Sequence, residues 1–201
     1  MIPAMRHDDE SILAAARAVF VADPGAPMSA VGERAGVGMS ALYRRYPSKE
    51  ELLRCLCADG LARYIAAAEV ALADTGDPWI AFVEFMRRIV DADTHSLTLR
   101  LAGTFAPTEE LYGAAGRAQD LTTQLFDRTL AAGAIRPDVR VDDLAFVLEQ
   151  VASVRVADER RTGQLRHRYL ALLLEAIHRP SDAPLPGPAP TWEDLSGRWE
   201  P

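Results

Sequence analysis

Apolar positions recur at helical spacing from one end of the chain to the other. Ile12, Leu13, Ala16, Val19 and Phe20 share one face of a helical period, with Asp8 and Asp9 ahead of them as cap candidates and first-turn acids, which predicts a helix over 8–22. Asp23-Pro24-Gly25 ends it. Pro27 suits the first position of a second, short helix that runs to Arg34 or Ala35, because its missing amide is one that a helix start leaves unpaired. Ala35-Gly36-Val37-Gly38 supplies glycine for a sharp inter-helix turn, and 39–46 forms a third helix that Pro47 stops. Ser48-x-x-Glu51 is a capping box, followed by Leu52, Leu53, Leu56, Leu61, Tyr64, Ile65, Ala68 and Leu72, which predicts one long helix over 48–73.

Breakers then separate further helical stretches at 78–91, 94–102, 108–132, 141–157 and 162–178. No stretch alternates as a strand does, so the expected fold is all-α with about nine helices. The expected organisation is a helix-turn-helix unit at 1–47, a connecting helix at 48–73, a helical bundle at 74–179 and a tail at 180–201. Six of the 13 prolines fall in that tail, which starts as an extended linker. Within it, Thr191-x-x-Asp194 predicts a short helix that sets Trp192, Leu195 and Trp199 on one face, docked on the body.

Charge changes the picture through its distribution. The net charge is −7, yet residues 1–50 hold six cations (Arg6, Arg17, Arg34, Arg44, Arg45, Lys49) against six acids, and the whole excess lies beyond them. Gly38 to Lys49 contains three cations and no acid, a basic spot on a neutral module attached to an acidic body. An anionic partner at that end accounts for it, as does a solvated cationic face. No apolar run approaches the ~20 residues of a membrane span. The first ten residues lack a secretion signal's apolar run and cleavage site, so a cytoplasmic location is expected. Cys55 and Cys57 lie about 200° apart around a helix, cannot bond to each other, and have no third metal ligand nearby.

Two short helices around a glycine turn, the second ending in cations, have the layout of a helix-turn-helix, and also of an ordinary helical hairpin. The residues themselves go further. Ile12-Leu13-Ala14-Ala15-Ala16 with Phe20, then Val31, Ala35-Gly36-Val37, Leu42-Tyr43, Tyr46, Lys49-Glu50 and Leu52-Leu53 resemble the N-terminal domain of the TetR-like transcriptional repressors. The resemblance covers the first 56 or so residues; beyond them it reaches only topology and features such as Gly133-x-Ile135-Arg136-x-Asp138 and Arg168-Tyr169-Leu170. It implies a homodimeric, ligand-responsive protein of double-stranded DNA, with the effector pocket and dimer interface after about Ala73 and no cofactor.

Physical roles follow at the matched positions. Tyr43 is long enough to reach a backbone phosphate, and Lys49 stands at a helix start where its charge and the dipole both favour one. Arg44 and Arg45 are placed either to pair bidentately with guanine or to clamp phosphate. Met39, Ser40 and Ala41 lie nearest the base edges, and Gly38 caps their helix without a side chain. Gly38 and Ala41 stand where the family usually carries a small hydroxyl residue and a threonine. Tyr46 stands where phenylalanine is usual, and Gly32 replaces the usual alanine, a cost of roughly 1 kcal/mol unless close packing requires it.

For the second domain, Trp79, Phe82, Phe85, Met86, Phe105, Tyr112 and Phe126 supply apolar surface for an effector cavity, or simply core packing. His95, Arg100, Thr104, Gln119, Thr123 and Gln150 are its candidate polar anchors. Apolar stripes on the last two helices, Leu144, Val147, Leu148, Val151 and Val154 on one and Leu165, Tyr169, Leu172, Leu173 and Ala176 on the other, suit a four-helix dimer interface. Catalytic machinery is not expected: His167 and His178 are about 16 Å apart along a helix, and no phosphate loop, His-Glu-x-x-His run or serine elbow occurs. The expected function is a repressor released from a palindromic operator by a small, mostly apolar effector. The alternative is a sequestering helical protein with a vestigial DNA module.

Overall fold

A computed structural model of the chain describes residues 7–101, 104–178, 183–191 and 193–194, with backbone only at 7–8 and 97–100. Among them lie nine helices and no strand: α1 (His7–Ala22), α2 (Met28–Ala35), α3 (Met39–Arg45), α4 (Lys49–Ala73), α5 (Pro78–Ala92), α6 (Thr94–Leu101), α7 (Glu109–Ala131), α8 (Asp143–Ser153) and α9 (Glu159–His178). The expected face of Trp192, Leu195 and Trp199, and the Arg100 side chain, lie outside the described residues. Pro27 caps α2 from outside with extended backbone instead of occupying its first position. α8 ends at Ser153, short of the expected 157. Val154 there turns extended, and its carbonyl is taken by a side chain of α9.

Two cores share the long helix. Ile12, Leu13, Ala16, Phe20, Val31, Leu42, Leu52 and Leu56 close a small N-terminal core, which Leu101 at the end of α6 also enters. Phe82, Phe85, Met86, Ile89, Leu125, Phe126, Leu148, Leu170 and Leu174 make the larger one from α5, α7, α8 and α9. α4 gives Leu52, Leu53 and Leu56 to the first and Ala67, Ala68 and Ala71 to the second, where small side chains let α7 lie close. Arg128 of α7 then donates to the carbonyls of Ala71, Leu72 and Asp74, at 2.9 to 3.1 Å, satisfying orphan acceptors at the end of α4. The fold is therefore an N-terminal helix-turn-helix unit joined to a C-terminal helical domain by one continuous rod.

The turn between α2 and α3 is specified by glycine. Gly36 sits at φ 68° and its amide and that of Val37 bond back to Glu33 and Gly32, at 3.2 and 2.9 Å. The unusual Gly32 has a packing reason: a Cβ there would meet the Val37 carbonyl at 3.1 Å and the Met39 sulfur at 3.3 Å. Gly32→Ala is accordingly expected to give none of the ~1 kcal/mol that helix propensity alone would add. Thermal unfolding checks this: a rise in melting temperature would mean the turn yields freely.

Candidate nucleic-acid interface and effector pocket

Leu42, wholly buried, and Tyr46 pin α3 to the N-terminal core, and this fixes which side of the helix faces out. Ser40, Tyr43 and Arg44 fall on that side, at i, i+3 and i+4. All three are exposed, Tyr43 at 47%, and Gly38 is exposed ahead of them. Met39 and Ala41 are half-buried. A phenol, a hydroxyl and a guanidinium on one short helix make a donor-rich, cationic strip.

The two other expected cations are placed differently. Arg45 turns back onto α1, where Nη2 donates to Asp9 Oδ2 at 2.6 Å and Nε faces the second carboxylate oxygen. It holds α3 against α1. Lys49 folds under the α1–α2 loop, donating to the carbonyls of Pro24 at 2.7 Å and Ala26 at 2.8 Å, with Phe20's ring 5.0 Å below the ammonium. Burial, with Asp9 beside it, raises the Tyr46 phenol to about 12. Burial likewise raises the Cys57 thiol to about 12 and the Cys55 thiol above its ordinary value, so both stay protonated and unreactive.

The expected effector residues separate into several places. Phe82, Phe85, Met86 and Phe126 are at most 3% exposed and fill the C-terminal core. Trp79 stacks on Phe82 and, at 4.1 Å, on His178, whose Nδ1 bonds the Ala134 carbonyl. Phe105 packs instead against the N-terminal core. Tyr112, at 58%, and Gln150 are on the surface, since their positions on α7 and α8 face away from the bundle. Thr104 and Thr123 bond backbone carbonyls of Leu101 and Gln119, and the Gln119 amide reaches Asp142 at 3.3 Å. On α8, Leu144, Leu148 and Val151 are buried inside the monomer with Val147 packed against the same core, because α8 is covered by α5, α6 and α9. On α9, Thr162, Arg166, Leu170, Leu174 and Ile177 turn inward, Leu165 and Leu173 are half-buried, and Tyr169, Leu172 and Ala176 remain exposed.

Among the described anchors, His95 borders a small space. It lines, with Ile89, Val90, Asp93, Leu148, Val151, Ala152 and Arg166, a void of about 10 Å³. Desolvation lowers its pKa from 6.5 to about 4, so the ring is neutral at physiological pH. The sign of the linkage follows: the unfolded chain takes up a proton below pH 6.5 that the folded one refuses until about 4. Stability is thus expected to fall by about 3 kcal/mol as pH drops through that window. Denaturant unfolding at stepped pH checks it, and His95→Phe should remove most of that slope.

Sequence reasoning missed the polar lattice around this space. Arg166, 6% exposed, donates through Nη1 to Asp93 Oδ1 at 2.6 Å, through Nη2 to Ser96 Oγ at 3.2 Å and Ala152 O at 2.7 Å, and through Nε to Val154 O at 3.1 Å. The Ser96 hydroxyl donates to Asp93 in turn. Asp93 stands at φ 51°, a left-handed residue that bends α5 into α6. One residue earlier, the Ala92 carbonyl accepts from Arg17 of α1 at 2.6 Å, and Arg17 also reaches Asp59 of α4 at 3.2 Å. The signal was an arginine in register with the apolar stripe of α9.

These features meet known proteins at both ends of the chain. Residues 12–56 match the bacterial regulatory proteins of the tetR family, and residues 77–179 match the C-terminal domain of SbtR-like transcriptional regulators. The TetR transcriptional regulator SCO0520 from Streptomyces coelicolor is 27% identical over 86% of this chain and 99% of its own, with a TM-score of 0.60. A TetR regulatory protein from Mycobacterium vanbaalenii is 25% identical over 86% of this chain and 95% of its own, at 0.57. The TetR-like regulator LfrR from Mycobacterium smegmatis, solved with proflavine, shares the fold at a TM-score of 0.68, 19% identity, and coverage of 90% of this chain and 100% of its own. No curated protein matches the chain.

Proposed function

The chain belongs to the TetR family of bacterial regulatory proteins and is a DNA-binding transcriptional regulator, not an enzyme; from that premise we propose that it is a homodimeric repressor, released from an approximately palindromic operator in the cytoplasm by a small effector. The observation that carries the reading is the exposed Ser40, Tyr43 and Arg44 strip on a helix whose other side is pinned by Leu42. In a major groove it places Arg44 for guanine or phosphate and Tyr43 for phosphate. Met39, Ala41 and Gly38 flank it at the base edges. Arg45 and Lys49 act from behind, setting the angle of α3 and the shape of the α1–α2 loop.

The dimer face of this reading is α9, where Leu165, Tyr169, Leu172, Leu173 and Ala176 leave an apolar strip, with α8 supporting it from beneath. Effector binding in the C-terminal domain would tilt α4 and move the two recognition helices off the ~34 Å spacing of successive grooves. Spin labels at the two exposed Ser40 positions measure that spacing with and without an effector found by screening; an unchanged distance removes the tilt. None of the helices described is long and apolar enough to cross a membrane.

The test is selection of sites from random duplex DNA by the purified protein. Enrichment of an inverted repeat, bound with a steep salt dependence, is the expected result. Weak binding without sequence preference would favour the sequestering alternative.

A further inference from the structure

The void beside α6 has polar equipment that the fold leaves unused. His95 Nδ1 lies 3.5 Å from Thr94 Oγ1, at the limit of a hydrogen bond, and no described residue bonds Nε2. Tyr64, which does not itself line the void, packs its ring centroid 6.2 Å from that of His95 and 5.4 Å from that of Phe85. The Thr122 hydroxyl gives its proton to the Ala118 carbonyl at 2.7 Å, so in the 2.9 Å contact between them Tyr64 is the donor. The Tyr64 oxygen therefore keeps an acceptor site. The ionic groups lining the void are, by contrast, matched: Arg166 and Asp93 hold each other, with Ser96 and two carbonyls completing the set.

We propose that the effector is an uncharged, largely apolar molecule that brings one hydrogen-bonding group to His95 Nε2 and enters by widening the void between α6 and α8. The proposal rests on the regulator reading above and specifies its ligand. A charged ligand would shed its hydration in a space whose own charges are already neutralised, a cost nothing there offsets. A neutral imidazole takes either partner, accepting from an N–H or O–H, or donating to a carbonyl in the other tautomer. The ring is neutral across the physiological range, because burial holds its pKa near 4.

The void, which is partly open to the surface, admits about one water. A larger occupant must displace helices that line it, and α6, which is one of them, is tied to the DNA-binding unit twice. Leu101 at its end is wholly buried in the N-terminal core, and Ala92, just before its start, accepts from Arg17 of α1. Seating a ligand on His95 is thus felt by α1 directly, in addition to any tilt of α4.

The test uses three tricyclic fluorophores of similar size on the full-length protein: acridone, which is uncharged with one N–H and one carbonyl, proflavine, which is cationic, and acridone carboxylate, which is anionic. The expected result is one acridone per protomer, bound at least ~10-fold more tightly than either charged dye, a gap of about 1.4 kcal/mol. His95→Phe keeps a ring and loses the hydrogen bond, and should weaken acridone by ~10-fold; His95→Gln keeps a polar group and should stay within about 3-fold of wild type. Operator binding by each variant, measured alongside, reports on folding. Charged dyes binding as tightly, acridone binding that ignores His95→Phe, or no binding by any dye overturns the proposal. If operator binding persists in those cases, only the ligand assignment fails; if the wild type selects no operator, the regulator reading fails with it.

Discussion

Replacing Tyr43 and Arg44 together by alanine is expected to weaken operator binding by at least ~100-fold while leaving thermal stability almost unchanged. Both side chains are exposed and neither has a hydrogen-bond partner among the described residues, so their loss costs the fold within about 0.5 kcal/mol. In the complex, a bidentate arginine contributes about 1–3 kcal/mol of base discrimination, and a hydrogen bond to a charged phosphate about 1.5–3 kcal/mol. A dimer presents each twice. The slope of log affinity against log salt should fall by about one for each phosphate that the variant no longer neutralises. Arg45→Ala is the informative contrast, because it removes the Asp9 pairing and frees α3 from α1. It should lower the melting temperature as well as the affinity. If the double variant selects the same repeat with wild-type affinity, the reading strip lies elsewhere, and Lys49 would have to leave its loop carbonyls to reach the DNA.

The second large effect is expected at Arg166, far from DNA. Arg166→Leu removes a buried guanidinium and strands the carboxylate of Asp93, with the Ala152 and Val154 carbonyls losing their donor. Breaking a buried pair from one side costs about 3–5 kcal/mol. In a chain of this length that lowers the melting temperature by roughly 10 °C. Asp93→Asn, which keeps an oxygen acceptor and the left-handed tolerance of a short polar side chain, should cost visibly less. Calorimetry of both single variants and of the pair decides the matter: equal and additive losses would mean the two side chains act independently. Operator affinity of Arg166→Leu is expected to fall too, since the elbow that Arg166 holds is the one Arg17 grips from α1.

The two predictions rest on residues of unequal visibility. Tyr43 could be pointed out of its helix before any coordinates, whereas Arg44 and Arg45 read alike until buried Leu42 set the phase of the seven-residue helix and turned Arg44 outward. Arg45, one position further, could not be placed: its direction depends on where Asp9 stands, and that depends on how α1 packs. The same holds for Lys49, whose helix-start position suggested phosphate while the carbonyls of Pro24 and Ala26 were waiting across the fold. Phe105 followed the apolar pattern of the second domain but packs on the first, since α6 carries the chain back to the N-terminal core.

The helices, their breaks and the glycine turn were determined by the sequence alone, because caps, periodicity and backbone freedom act over a few residues. So was the regulator family, whose matching residues cluster in that short-range unit. Only the tertiary structure decided which stripe of α8 and α9 is buried, that an arginine enters the α9 stripe, and that His95 borders a void. Those outcomes depend on pairings across 70 or more residues, as between Arg166 and Asp93 or Arg17 and Ala92, and local patterning carries no information about which distant group will satisfy a buried charge.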